Sequence, residues 1–278
     1  MPESTSSQIA LDRRAVQAIF SWIHPRYCFK YVRLCKAVFT CLTDPAFILL
    51  NLTRFCRLNR MTSPDEFDKL WFLWPDVIGD IYSDWRCSSL LRLDWRGANP
   101  LGRPLPRSVG CMSFVTYINF STSKLTGSIP PELWLCYNLT ELHLSWNKLS
   151  GNVTPQLSRC RKLTVLNLAN NELEGTIPPE LGRLKRLRVL DLSANWLEGR
   201  LPPELGKLKR LEALDLSANQ LEGSIPLDFV LLGNLKELNL YENRFERWVI
   251  PNGFERSSPV YLLLRKLGWF NEGENTWR

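Results

Sequence analysis

Aliphatic side chains recur with a period of 24 residues through the second half of the chain. Leu139, Leu163, Leu187, Leu211 and Leu235 each open one pattern, L-x-x-L-x-L-x-x-N-x-L/F. The copies read Leu139-Leu142-Leu144-Asn147-Leu149, Leu163-Leu166-Leu168-Asn171-Leu173 and Leu187-Leu190-Leu192-Asn195-Leu197, then Leu211-Leu214-Leu216-Asn219-Leu221 and Leu235-Leu238-Leu240-Asn243-Phe245. Val115, Ile118, Phe120, Ser123 and Leu125 form a weaker copy, and Leu90, Leu93, Trp95, Asn99 and Leu101 a degenerate first one with a residue inserted. The alternating L-x-L core predicts a short strand whose alternate side chains face inward. One such coil cannot bury its apolar face alone, so stacked coils must share a core.

The remaining repeat positions follow from the same stacking. Asn147, Asn171, Asn195, Asn219 and Asn243 place one amide per coil inside the turn, where each is expected to donate to carbonyls of its own coil and the next. The glycines that follow (Gly127, Gly151, Gly175, Gly199, Gly223) let the chain turn without a Cβ. Ile129-Pro130, Ile177-Pro178, Leu201-Pro202 and Ile225-Pro226 then favour extended backbone on the outer side. Cys136 and Cys160 share a column with Leu184, Leu208 and Leu232, which predicts buried, reduced thiols acting as small apolar residues.

In such a stack the non-leucine strand positions form columns on a concave face, about 4.8 Å apart from coil to coil. The central column is Asn119, His143, Asn167, Asp191, Asp215, Asn239. Before it run Tyr117, Glu141, Val165, Val189, Ala213 and Glu237; after it run Ser121, Ser145, Ala169, Ser193, Ser217 and Tyr241. Beside these lie Thr122, Trp146, Asn170, Ala194, Ala218 and Glu242. The candidate partner-binding set is Tyr117, Asn119, Glu141, His143, Trp146, Asn167, Asp191, Asp215, Asn239 and Tyr241. Its aromatic members interrupt a small, polar pattern and are the residue types that anchor interfaces. Asp191 and Asp215 read first as regular fillers of solvent-facing positions.

Residues 8–60 do not follow the repeat. Val16, Ile19, Phe20 and Ile23 are spaced i, i+3, i+4, i+7 on one helical face, which Pro25 ends. A second helical run spans residues 29–42, Asp44-Pro45 marks a turn, and residues 47–55 start a third short helix. Residues 61–89 carry Trp71, Phe72, Trp74, Tyr82 and Trp85, expected to cover the open N-terminal end of the stack; residues 251–278 supply apolar cover at the other.

The chain of 278 residues has 35 Lys/Arg and 28 Asp/Glu, and the excess is concentrated in residues 1–60, with nine cationic residues against three acidic. That density falls short of a nucleic-acid arm. Basic clusters before the strands (Arg159, Arg161, Lys162; Arg183, Lys185, Arg186, Arg188; Lys207, Lys209, Arg210) read as a solvated rim balanced by Glu174, Glu180, Glu198, Glu204 and Glu222. Residues 37–52 are broken by Asp44 and Pro45 and are too short to span a membrane, and the polar start lacks a secretory signal. Eight Cys without a C-x-x-C and two separated His give no zinc spacing, and no nucleophile, phosphate-loop or metalloprotease motif occurs.

The 24-residue L-x-x-L-x-L-x-x-N-x-L-x-G-x-I-P unit over residues 90–250 resembles the leucine-rich repeat family of the plant type, which implies an α/β solenoid: a horseshoe of about six to seven coils with a parallel sheet on its concave face. I-F-S-W-I-H-P-R, R-L-C-K-A and C-L-T-D-P-A-F in residues 8–60 resemble an F-box, a small all-α module. That resemblance implies contact with a Skp-type adaptor through Ile19, Phe20, Trp22, Ile23, Pro25 and Leu34, although Leu11 is followed by Asp12 where the family has Leu-Pro. Together the two resemblances imply a non-catalytic substrate-recognition subunit of a cullin ubiquitin ligase. It would be a monomer outside its complex and cytoplasmic, with the nucleus as alternative. It would need no cofactor or metal, and would dock a protein on the concave face rather than nucleic acid or membrane. The competing expectation is a receptor-like or inhibitor-like leucine-rich repeat protein unrelated to ubiquitin.

Overall fold

The computed structural model describes residues 91–97, 99, 102–246 and 256–266. The F-box-like segment with Ile19, Phe20, Trp22, Ile23, Pro25 and Leu34 lies outside the described residues, as do the 61–89 stretch and Trp269-Phe270. The strands described are β1 (Arg92–Asp94), β2 (Tyr117–Asn119), β3 (Thr126–Ser128), β4 (Glu141–His143), β5 (Lys148–Asn152), β6 (Val165–Asn167), β7 (Glu172–Thr176), β8 (Val189–Asp191), β9 (Trp196–Arg200), β10 (Ala213–Asp215), β11 (Gln220–Gly223), β12 (Glu237–Asn239) and β13 (Arg244–Phe245). One per coil, β1-β2-β4-β6-β8-β10-β12 make a parallel seven-stranded sheet. The register is one repeat: Leu166 faces Leu190 and Leu190 faces Leu214. In the first coil Leu93 faces Ile118, 25 residues away, which places the inserted residue after the strand.

Two features go beyond the sequence expectation. A second parallel sheet, β3-β5-β7-β9-β11-β13, runs down the adjacent flank. The x-L-x-G stretches expected only to turn also pair from coil to coil, because stacking in register brings their amides together. On the outer side, Pro130, Pro178, Pro202 and Pro226 are extended as expected. The residue after each then opens a single 3₁₀ turn, as in Pro131–Leu135, Pro179–Arg183 and Pro203–Lys207. Proline fits there because the first helical residues have no partner for their N–H.

The periodic leucines are fully buried through all coils, with Trp95 and Phe120 filling the first two. At the C-terminal end a helix, α1 (Pro259–Lys266), closes the core with Val260 and Leu264. Cys136 and Cys160 lie in the core without a disulfide. Burial pushes both thiols up to about 12, and the Cys136 Sγ donates to the Val109 carbonyl at 3.3 Å.

The asparagine ladder runs in the opposite sense to the expectation. Asn195 Nδ2 donates to Leu168 O of the preceding coil at 3.0 Å and to Leu192 O and Ser193 O of its own. Its Oδ1 accepts the Leu173 N–H, also from the preceding coil, at 3.0 Å. Asn147, Asn171, Asn219 and Asn243 repeat the arrangement. The direction follows from where the groups lie: each amide sits after its own strand, under carbonyls left open by the coil before it. Ser123 does the same with its hydroxyl, donating to Trp95 O and accepting the Gly97 N–H.

Replacing Asn195 with Ala strips four backbone groups of a partner at once, three of them in buried bonds. Urea unfolding followed by circular dichroism should show a loss of roughly 2–3 kcal/mol, against under about 0.5 kcal/mol for the exposed Glu198→Ala.

Candidate functional site

The concave sheet presents three columns, and the structure places the predicted residues on it unequally. Tyr117, Glu141, His143, Asn167, Asp191, Asp215 and Asn239 are partly exposed along its surface. Asn119, expected to face a partner, is instead only 7% exposed. It accepts the Ser121 N–H and donates to the Tyr117 hydroxyl, so its amide is consumed within the strand end. The rest of the central column has a related local duty. Asn167, Asp191, Asp215 and Asn239 accept the N–H two residues on, and the two aspartates also accept the hydroxyls of Ser193 and Ser217. Carboxylate or amide at this position therefore shapes the turn out of the strand.

At the N-terminal end the sheet gathers aromatic and charged groups. The Arg92 guanidinium stacks 3.4 Å from the Tyr117 ring centroid. Tyr117 and His143 rings lie 5.5 Å apart, and His143 Nε2 is 3.4 Å from Glu141 Oε2. Asp94 is held between Arg92 and Arg96 at 3.6 and 3.0 Å. Arg92 and Asp94 head the concave columns, in register with Tyr117 and Asn119. The columns read from the sequence begin one coil later, at Tyr117 and Asn119, and so miss them, although Leu93 and Trp95 give the first coil its phase.

The middle of the face is a low apolar floor of Val165, Val189 and Ala213. At the C-terminal end, β10, β12 and α1 enclose a cleft of about 350 Å³ lined by Asp215, Lys236, Glu237, Asn239, Leu263 and Lys266. Tyr241 stands beyond it, 43% exposed.

Trp146 is 64% exposed and sits in left-handed backbone, φ +58°. The whole column shares that geometry: Thr122, Asn170, Ala194, Ala218 and Glu242 have φ between 51° and 56°. The coil imposes it one residue before each ladder amide. A bulky or β-branched side chain fits this region poorly, so Trp146 and Thr122 are both held there by the coil.

A further column lies along the sheet's edge. Thr140 and Thr164 hydroxyls each donate to the carbonyl one coil back. Arg188, Glu212 and Lys236 continue the column as ions, with Arg188 Nε at 2.5 Å and Lys236 Nζ at 2.8 Å from the Glu212 oxygens. Hydrogen bonds from Arg188, then Lys236, hold the Glu212 carboxyl down at about 2. Among the described residues, no cluster of three or more His, Cys, Asp or Glu could hold a metal, and no helix is long and apolar enough to cross a membrane.

A family profile described as a leucine-rich repeat region matches residues 141–258. The fold matches the leucine-rich repeat ectodomain of the plant membrane receptor kinase GASSHO1/SCHENGEN3 from Arabidopsis thaliana, in complex with CASPARIAN STRIP INTEGRITY FACTOR 2. Identity is 33% and TM-score 0.55, over 62% of this chain and 20% of that one. It also matches the plant peptide hormone receptor RGFR1 in complex with RGF2, at 33% identity and TM-score 0.52, covering 62% and 26%. The Arabidopsis receptor kinase HAESA, in complex with the peptide hormone IDA and the co-receptor SERK1, matches at 31% and 0.53, covering 63% and 28%. The chain thus spans less than a third of the length of these relatives. A comparison with curated protein sequences gives no match.

Two outcomes follow from the site's geometry. Trp146→Gly, which accepts left-handed backbone, should raise stability to urea by roughly 1 kcal/mol, whereas Trp146→Ala should not. For Glu212 the folded carboxyl titrates below its ordinary value of 4.5, so its contribution is complete above that pH and is lost as pH falls toward about 2. The melting-temperature gap between wild type and Glu212→Gln should accordingly be widest at neutral pH and close across that window.

The shared coil, register and sheet make this chain a member of the leucine-rich repeat proteins, of the plant-like type with a 24-residue unit.

Proposed function

We propose that the solenoid is a non-catalytic recognition module that docks an extended protein or peptide segment across its concave face. The observation that carries this is the layout of that face. A floor of Val165, Val189 and Ala213 admits a backbone, and aromatic groups stand at both ends, Tyr117 with His143 at one and Tyr241 at the other. An aliphatic row beside a polar one, with aromatics toward both ends, suits a segment read by a few anchors rather than a substrate held for chemistry. Trp146 at the sheet's corner adds a third anchor.

Two placements of this module are distinguishable. In the first it is the substrate receptor of a cullin ubiquitin ligase, working in the cytoplasm or nucleus; the support is the F-box-like pattern of residues 8–60, with Ile19, Phe20, Trp22, Ile23, Pro25 and Leu34 meeting a Skp-type adaptor. In the second it is receptor-like and unrelated to ubiquitin; the support is the 31–33% identity to receptor ectodomains, two of them bound to peptide hormones or their relatives.

Panning the full chain against a displayed library of linear peptides tests the module. Enriched peptides should lose roughly tenfold or more in affinity to Tyr117→Ala/Trp146→Ala, a loss of about 1.4 kcal/mol. Absence of enrichment, or peptides indifferent to that change, overturns the reading. The ligase placement requires that a Skp-type adaptor be recovered with wild type and lost with a folded Ile19→Asp/Phe20→Asp variant; equal recovery from both overturns it.

A further inference from the structure

The turns that lead from the outer 3₁₀ segments into the concave strands form one rim of the solenoid. Three positions per coil stand on this rim, all exposed except the half-buried Asn138, and their occupants change in bands. In the coils of β2 and β4 they are Cys111, Ser113, Phe114 and then Leu135, Tyr137, Asn138. In the next three coils they are Arg159, Arg161, Lys162, then Arg183, Lys185, Arg186, then Lys207, Lys209, Arg210. In the coil of β12 they return to Leu231, Gly233 and Asn234. Because the coils are in register, the nine cations form a three-by-three grid.

The glutamates expected to balance this rim make no close ion pair with it, although Glu180 and Glu204 stand in the same outer turns as Arg183 and Lys207, and Glu180 borders the cleft with Arg159, Arg161 and Arg183. Among the described residues no carboxylate lies within 4.0 Å of any of the nine. Glu174, Glu198 and Glu222 belong to β7, β9 and β11 on the second sheet, away from the rim. Glu212 is taken by Arg188 and Lys236. Lys162 donates to the neutral Asn138 Oδ1, and Lys185 to the Gly182 and Lys207 carbonyls. Lys185 is held below its ordinary value, first by desolvation and then by repulsion from Lys207 and Lys209. A like-charged field left uncompensated costs stability, and an approaching anion would relieve that cost.

The grid also has a shaped end. Between the coils of β4, β6 and β8 lies an open cleft of about 460 Å³, lined by Tyr137, Gln156, Ser158, Arg159, Arg161, Arg183 and Glu180. Three guanidiniums there border a space with a phenol and two neutral polar side chains. Guanidinium forks suit carboxylates held two oxygens at a time.

We propose that this rim is a second docking surface, separate from the concave face, for an acidic stretch of a partner protein lying along the grid with one end seated in the cleft. The observations favour acidic protein over the other polyanions. No aromatic ring stands inside the grid to stack a base, as single-stranded nucleic acid would need. The exposed apolar groups Phe114, Leu135 and Tyr137 flank only one end of the grid, so it offers no apolar border to insert along its length and an anionic membrane fits poorly.

The test uses the full chain, with a fluorescent peptide of about twelve alternating Asp and Glu residues, titrated by anisotropy at low salt where surface charge is least screened. The rim variant Arg159→Gln/Arg161→Gln/Arg183→Gln should weaken binding roughly tenfold or more. A control with the same loss of charge on the second sheet, Lys148→Gln/Arg200→Gln/Arg244→Gln, should weaken it less than about threefold. Tyr117→Ala/Trp146→Ala should leave it unchanged, which separates this surface from the concave one. Equal losses from rim and control variants would show only net charge and overturn the proposal. So would tighter, rim-dependent binding of an oligothymidylate of matched charge or of phosphatidylserine vesicles. Circular dichroism confirms that each variant remains folded.

Discussion

One amide per coil holds the structure together. A stack of short parallel strands has few side-chain contacts that fix each coil's height and angle against the next, since leucine packing is tolerant of slip. The ladder asparagine removes that freedom. Its oxygen takes an N–H and its nitrogen a carbonyl from the preceding coil, while the same nitrogen ties down two carbonyls of its own. The groups it satisfies are buried backbone, for which water offers no substitute. The left-handed residue before it is the conformational cost of aiming the amide inward.

Everything on the surface inherits its position from that register. Residues 24 apart become neighbours, so each repeat position becomes a column and each column a band of one chemistry. The column before the strands reads threonine three times, then arginine, glutamate, lysine: hydroxyls that hold the neighbouring coil, then ions that do so. The first concave column reads tyrosine, glutamate, then three aliphatics, then glutamate, beside a central column that is polar throughout, and the rim columns have a basic band between uncharged ones. Binding surfaces here arise from substitution within columns on an unchanging scaffold.

Much of the solenoid was legible in the sequence because burial repeats. Leucines every 24 residues specify strands, core and coil count, and place Cys136 and Cys160 among them. What was less legible depends on backbone. The second sheet has no apolar alternation of its own; β5 reads Lys-Leu-Ser-Gly-Asn and pairs because its neighbours are stacked. The ladder's direction depends on which coil leaves carbonyls open. Among site residues, Tyr117, Trp146 and Tyr241 stood out as aromatic anchors, while His143 read as one more surface position. Asn119 looked equivalent to its column mates, yet it is buried, with its amide bonded to the Tyr117 hydroxyl and the Ser121 N–H. Arg92 and Asp94 escaped because the columns were read only from the second coil onward, the first being degenerate.

The two core sulfurs have a use independent of any ligand. With acidity constants near 12, each is ionised only about once in 10⁵ molecules at neutral pH. A maleimide or iodoacetamide reagent must therefore wait for the coils around them to part. Alkylation rates at these two positions become a clock for breathing of the N-terminal half of the spring, readable by mass spectrometry in the intact chain.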